Sequence, residues 1–137
     1  MNDQPARGSD GMSRISLPTT EQHTTAGPYS PVLRVSAGDL VVLSGQGPLA
    51  GDGSVVGSDI REQTAATLEN CKRLLAAAGA DLSSVFRVNA YLADLDDWVG
   101  FNEEYERHFT PPRPARTAVG VDLLLGMKIE LDLWAAP

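Results

Sequence analysis

One strongly amphipathic segment, residues 60–78, constrains the fold more than any other feature of the sequence. Its apolar and small side chains recur at intervals of three and four, the spacing of one face of an α-helix. They are Ile60, Thr64, Leu68, Cys71, Leu75 and Ala78. Asp59 and Glu62 have the spacing of a capping box, and Gly79 supplies a C-terminal stop. The segment therefore predicts a helix that buries one face.

Alternating apolar and polar residues predict strands on both sides of this helix. Three strands are expected before it, at about residues 14–17, 32–37 and 40–43, and the last two are expected to form a hairpin. A strand at residues 85–92, a second helix, and strands at 116–121 and 127–135 follow it. The second helix is expected to carry an apolar stripe that turns Trp98, Phe101, Tyr105 and Phe109 toward the core. The order β-β-β-α-β-α-β-β predicts an α+β fold with two helices on one face of a mixed six-stranded sheet.

The sheet face that the helices leave uncovered is expected to be partly apolar. Tyr91 and Trp134 fall on it, among the charged residues Arg87, Glu130 and Asp132. A half-apolar face on a small domain favours burial against another copy of the chain. A homo-oligomer is therefore predicted.

Composition limits the class of partner and the compartment. The 137 residues carry a net charge of −7 with a pI near 4.6, which argues against a nucleic-acid binder. Cys71 is the one cysteine, so no intrachain disulfide can form, and neither a signal-peptide core nor a membrane-spanning run is recognisable. We expect a cytoplasmic protein with no membrane partner, a flexible leader at residues 1–12 and one domain at residues 13–137.

One arginine and one glutamate form the candidate reactive pair. Arg116 and Glu130 both lie in predicted strands. A guanidinium can hold a carboxylate through two parallel hydrogen bonds, and a carboxylate can position and activate water. The pair fits hydrolysis of a small carboxylate-bearing molecule, and it also fits a structural ion pair. Alternation places the Arg116 side chain on one face of its strand and Thr117, Val119 and Val121 on the other face, which we expect to meet the core.

Other potential reactive groups are few. His23 and His108 have no companions at metal-ligand spacing, so no metal site is predicted. Cys71 lies in the apolar stripe of the first helix, where a thiol is typically an inert part of the core.

Short fragments then recur along the chain in a distinctive order. They are Gly27-Pro28-Tyr29-Ser30, Ser44-Gly45-Gln46, Leu68-Glu69-Asn70, Ala77-Ala78-Gly79, Val88-Asn89-Ala90-Tyr91-Leu92, Phe101-Asn102 with Tyr105, Pro114-Ala115-Arg116 and Ile129-Glu130. Each fragment alone is weak. As an ordered set across residues 14–136, they resemble the Rid/YjgF family of enamine/imine deaminases.

The resemblance implies a chorismate-mutase-like α+β fold and a homotrimer with clefts between subunits. It implies hydrolysis of small 2-enamino or 2-imino acids to 2-oxo acids and ammonia, without a cofactor. Arg116 would bind the substrate carboxylate and Glu130 would position the water. The remaining substrate-binding positions would be Tyr29, contributed by a neighbouring subunit, together with Ser44, Gly45, Asn102 and Ala118.

The chain departs from the family pattern immediately after the arginine. Thr117 stands where many relatives carry Ser or Cys, and Ala118 replaces a common Cys. The backbone carbonyl at Ala118 can still contribute to the site, but a thiol-dependent role is excluded. These differences affect the choice of substrate more than the type of reaction.

Several alternatives remain open from the sequence. The same cleft could serve a non-catalytic keto-acid binder or chaperone-like trimer, or a Rid enzyme confined to one biosynthetic route. A ribonuclease is disfavoured by the acidic charge balance. A chorismate-mutase-type enzyme would need more than one cationic anchor for its dicarboxylate substrate, and Arg116 is the one clear candidate.

Overall fold

A computed structural model describes residues 14–20, 23 and 27–137. The predicted leader at residues 1–12 lies outside these ranges. Within the described residues, six strands and two α-helices follow one another in the expected order. The strands are β1 (Ile15–Ser16), β2 (Arg34–Val35), β3 (Val41–Gln46), β4 (Val85–Leu92), β5 (Ala115–Gly120) and β6 (Ile129–Ala135). The helices are α1 (Ile60–Ala77) and α2 (Trp98–Glu106).

Helix α1 has the boundaries that its end residues predict. The Asp59 side chain accepts a hydrogen bond of 2.8 Å from the Glu62 backbone N–H, which caps the first turn. The Glu62 carboxylate bonds to the backbone N–H of Ser58 instead of closing the box on Asp59. Gly79 adopts a φ of 78°, the left-handed conformation that ends many helices. Within the apolar stripe, Thr64, Leu68, Cys71 and Leu75 are fully buried, whereas Ala78 at the C-terminal end is exposed.

The central sheet has four strands in the order β3-β6-β4-β5. Strands β4 and β5 are parallel, and the other two pairings are antiparallel, so the sheet is mixed as predicted. Helix α1 packs on β3, β6 and α2. The core lies between these helices and one sheet face, where Val88, Leu131 and Leu133 are fully buried.

The prediction of a single six-stranded sheet is wrong. Strands β1 and β2 form a separate two-stranded sheet, with Ile15 opposite Val35, and the expected hairpin between β2 and β3 is absent from the described residues. The apolar run at residues 40–43 looks like a central strand, but β3 is an edge strand and Val42 is 55% exposed. Both residues of β2 pair with β1, and neither pairs with β3.

The predicted orientation of β5 is also wrong. Arg116 lies opposite the buried Val88 and is itself 9% exposed, whereas Thr117, Val119 and Val121 face outward. Alternation identifies the two faces of a strand but not which face meets the core. Here the apolar residues belong to the sheet face opposite the helices. We call this face, with Tyr91, Val119, Glu130, Asp132 and Trp134, the open face.

Candidate functional site

Arg116 is buried beneath the second helix in an aromatic cage. Its Cζ lies between 4.8 and 5.9 Å from the centroids of four rings, within the range of cation–π contact. The rings belong to Tyr29, Trp98, Phe101 and Tyr105. The last three belong to α2, in which Trp98 is the first residue, and helical spacing turns these rings toward β5. We call this cage, together with Arg116 and Asn102, the arginine pocket.

Polar atoms without partners concentrate in and beside the arginine pocket. Among the described residues, no hydrogen-bond partner is present for Arg116 Nη1 and Nη2, Asn102 Oδ1, Tyr105 OH or Arg113 Nε, although all are buried. Such atoms are uncommon in folded proteins because each loses its hydration without replacement. Their concentration at one place indicates a site that a polar ligand completes.

The charge of Arg116 is not neutralised within the described part of the chain. None of the ion pairs found there involves Arg116. Burial lowers the pKa of Arg116 from its ordinary value, and burial raises the pKa of the Tyr105 phenol. The structural ion pair between Arg116 and Glu130, which the sequence left open as an alternative, is not formed. A buried guanidinium without a counter-charge suits an anionic ligand, above all a planar carboxylate.

The turn at residues 27–30 covers the guanidinium. A Cβ on Gly27 would stand 2.6 Å from Arg116 Nη2 and 3.1 Å from both amide atoms of Asn102, so these two side chains keep their present positions only with glycine here. The Ser30 N–H donates to the Pro114 carbonyl at 3.2 Å, which fastens the turn to the segment before β5. The turn thereby brings the half-buried Tyr29 onto Arg116 of its own chain.

Glu130 lies on the other side of the sheet. Its neighbours in β6, Ile129 and Leu131, are fully buried, and Glu130 pairs in register with Tyr91 on the open face. A Cβ on Gly45 would stand 2.0 Å from Glu130 Oε2, so the carboxylate reaches across the edge strand where that strand lacks a side chain. A register irregularity between Leu43 and Gln46 marks the same place. We call Glu130, Gly45 and the exposed Ser44 the acid edge.

The structure thus divides the sequence-predicted site residues into two groups. Arg116, Tyr29 and Asn102 come together, and Ala118 lies two residues further along β5 on the same face as Arg116. Glu130, Gly45 and Ser44 lie at the acid edge. The sequence reasoning missed Trp98, Phe101 and Tyr105 as pocket residues because it assigned them to the core. The phenol hydroxyl of Tyr105 within that apolar stripe was the available signal.

The open face carries a connected polar network. Arg87 donates to Thr117 Oγ1 at 2.7 Å and to Asn89 Oδ1 at 3.1 Å, and Asn89 in turn donates to Asp132 Oδ1 at 2.9 Å. Tyr91 donates to Asp132 Oδ2 at 2.9 Å, and this bond raises the pKa of the phenol. Partly exposed apolar side chains, including Val42, Val119 and Trp134, surround the network.

Two other classes of feature were sought in the described ranges. No three His, Cys, Asp or Glu side chains there converge in the manner of a metal site. No described helix is both long and apolar enough to cross a membrane. Cys71 is fully buried, as its place in the stripe predicted, and burial raises the pKa of its thiol to about 12.

Comparison with known proteins agrees with this architecture. The family model described as endoribonuclease L-PSP matches residues 19–137. Protein DfrA of Myxococcus xanthus is 40% identical over 123 residues, which are 88% of this chain and 94% of the relative. Reactive Intermediate Deaminase A, chloroplastic, of Arabidopsis thaliana is 40% identical over 117 residues, which are 83% of this chain and 62% of the relative.

A solved structure shows the same fold. The crystal structure of RidA from the Antarctic bacterium Psychrobacter is 30% identical and superposes with a TM-score of 0.69, covering 83% of this chain and 92% of that one. The chain belongs to the Rid/YjgF family.

Proposed function

We propose that this protein hydrolyses small 2-imino and 2-enamino acids to 2-oxo acids and ammonia. The observation that carries the proposal is the buried, unpaired guanidinium of Arg116 with both terminal nitrogens free among the described residues. The printed name of the Arabidopsis relative, Reactive Intermediate Deaminase A, supports the same reaction class.

Arg116 would hold the substrate carboxylate. Its two Nη atoms can donate parallel hydrogen bonds to the two carboxylate oxygens, and the ion pair would replace the hydration that the guanidinium lost on burial. The surrounding aromatic rings leave few alternative positions for a planar substrate. Asn102 Oδ1, a buried acceptor that has no partner among the described residues, could accept a hydrogen bond from the substrate nitrogen.

Glu130 would supply the proton transfers. Water attacks C2 of the protonated imine, and its proton passes to the Glu130 carboxylate. Glu130 returns this proton to the carbinolamine nitrogen, and the C–N bond breaks. The hydroxyl proton passes to the departing ammonia, so ammonium leaves with a 2-oxo acid and the Glu130 carboxylate is restored. No electrons are gained or lost overall, so the reaction needs water and proton carriers but no cofactor.

A homotrimer would bring the two groups together. Within one chain, Arg116 lies on edge strand β5, and the acid edge lies at the opposite end of the sheet beside β3. Head-to-tail closure of identical chains into a ring joins opposite edges of neighbouring subunits. In a ring of three, the acid edge of one subunit would face Arg116, Tyr29 and Ala118 of the next, with each cleft shared between two chains.

Replacement of Arg116 tests the proposal directly. We expect Arg116→Met to lower kcat/KM by on the order of 10²- to 10⁴-fold on an imine generated in situ, measured as ammonia or 2-oxo acid release. The melting temperature should hold or rise, because methionine fills the cage without an uncompensated buried charge. Arg73→Met, at an exposed arginine of α1, is the matched control. Equal turnover by wild type and Arg116→Met would remove Arg116 from the mechanism.

A second candidate is a non-catalytic keto-acid binder. The placement of the two residue groups favours it: one chain assembles the arginine pocket without the acid edge. Binding of a 2-oxo acid that depends on Arg116, without any imine turnover by the assembled protein, would select this candidate.

A further inference from the structure

A groove continues from the arginine pocket along helix α2. Its volume is about 440 Å³, and its lining includes Gly27, where an added Cβ would stand 2.6 Å from Arg116 Nη2, and Asn102, which lies beside the same glycine. A substrate held by its carboxylate on Arg116 would therefore have its other end beside this groove. The remaining wall includes Trp98, which belongs to the aromatic cage.

The charges of the groove are unevenly distributed. Glu103, Glu106 and Arg113 line it, so two carboxylates accompany one guanidinium. Arg113 is already engaged, because its Nη2 lies 3.7 Å from Glu106 Oε2. Glu103 pairs with Arg61, whose own side chain is outside the lining. Both cations near the groove are thus held by its own acids. A second anionic group of a substrate would meet these two carboxylates and find no unpaired cation among the described lining residues.

We propose that Glu103 and Glu106 are specificity-determining residues that reject dicarboxylate substrates. The site would accept 2-imino acids with one carboxylate and a neutral or cationic tail. This inference rests on the proposed role of Arg116 as the carboxylate anchor, and it assigns the groove to the substrate side chain.

The repulsion between these glutamates and a second substrate carboxylate depends on their distance and on the surrounding solvent. Both glutamates are substantially exposed, with 56% of the Glu103 side chain and 55% of the Glu106 side chain accessible, so water and salt screen their repulsion. Like charges in such a setting alter affinity by modest factors, and two of them act together. We expect the preference to weaken as ionic strength rises.

Equilibrium binding of two product-like probes tests the inference without requiring turnover. The probes are 2-oxobutanoate, with one carboxylate, and 2-oxoglutarate, with two, titrated at low salt into the full-length protein. We expect the wild type to bind 2-oxobutanoate roughly tenfold more tightly than 2-oxoglutarate. In the double variant Glu103→Gln/Glu106→Gln this ratio should fall by about five- to tenfold, chiefly through tighter binding of 2-oxoglutarate.

A control with the same change in net charge separates local repulsion from a general effect. The double variant Asp52→Asn/Glu69→Gln alters two exposed acids outside the groove lining and should leave the ratio unchanged. The inference would be overturned if the wild type bound both probes equally or bound neither. It would also be overturned if the ratio of affinities stayed unchanged in the glutamate variant, or shifted equally in the control variant. If the protein binds the two probes with different affinities but does not turn over imines, the inference about the groove stands and only the proposed hydrolysis is overturned.

Discussion

The arginine pocket and the open face lie on opposite sides of one sheet and treat their polar groups differently. On the open face, Arg87, Asn89, Tyr91 and Asp132 bond to one another within the chain. In the arginine pocket, buried donors and acceptors have no partners among the described residues. One surface has satisfied its hydrogen bonds by folding, although it still exposes apolar side chains. The other leaves its buried polar groups unsatisfied among the described residues, which is typical of a ligand-binding site.

The two regions therefore predict different consequences of the same kind of substitution. A change on the open face should disturb association of chains and leave each chain folded. A change in the arginine pocket should disturb ligand binding and leave association intact. Experiments that separate these outcomes test whether the division is real.

The largest effect is expected from a charge placed on the open face. Val119 is 43% exposed in the single chain, and Val119→Lys would bury an ammonium if other copies cover this face. A buried charge without a partner costs several kcal/mol per subunit, so the assembly should dissociate. Light scattering after gel filtration should then give the mass of one chain, 14.6 kDa. Imine turnover should fall with it, because the acid edge would lose its neighbour.

Leu74→Lys supplies the control for this experiment. Leu74 is an exposed apolar residue on α1, away from the open face, and its replacement should leave the assembled mass unchanged. An unaltered mass for Val119→Lys would show that association does not use the open face.

Two glycines allow the roles of Arg116 and Glu130 to be tested separately. A Cβ at Gly27 would collide with Arg116, and one at Gly45 would collide with Glu130. In both places the opposing atom is the end of a flexible side chain, so the side chain can move while the backbone stays. We expect Gly27→Ala to weaken 2-oxo acid binding by roughly tenfold and Gly45→Ala to lower kcat by a similar factor with little change in affinity.

Gly51→Ala is the neutral reference for this pair, because a Cβ at Gly51 meets no atom within 4 Å. Affinity by titration and kcat from steady-state kinetics should both equal those of the wild type. If Gly27→Ala and Gly45→Ala reduced the same quantity, the assignment of binding to one region and proton transfer to the other would be wrong.

The sequence predicted the local elements well because their signals are local. The stripe and end residues of α1 set its limits to within a residue, and strand β4 begins and ends where the alternation does. The fragments that resemble the Rid/YjgF family also identified Arg116, Tyr29 and Asn102, which the structure brings together.

The pairing of distant elements could not be predicted in the same way. Strand β2 bonds to β1 instead of β3, a choice between partners of similar pattern. The outward orientation of Val119 was missed because an apolar strand face looks the same whether it meets the core or another chain. The burial of Arg116 was missed for the complementary reason, since a charged residue is expected in water unless a ligand compensates it.

The smallest expected effect is a change in the pKa of one tyrosine, which distinguishes the open face from the arginine pocket. Tyr91, on the open face, has its pKa raised chiefly by its hydrogen bond to Asp132, whereas Tyr105, in the arginine pocket, has its pKa raised by burial. Asp132→Asn removes the carboxylate charge, so the pKa of Tyr91 should fall toward its ordinary value near 10.0 while that of Tyr105 stays high. An ultraviolet titration of tyrosinate, with Tyr91→Phe to assign the transition, measures the shift.

The hydrogen bond between Tyr91 and Asp132 also determines how the stability of the fold changes with pH. The folded-state pKa of Tyr91 lies above its unfolded value, so the interaction stabilises the fold below the unfolded pKa of about 10 and is lost as pH rises through the folded pKa. Asp132→Asn should therefore reduce the alkaline dependence of the melting temperature. An unchanged Tyr91 transition in Asp132→Asn would mean that the open-face network is not held together in solution, and the contrast with the arginine pocket would then lose its structural basis.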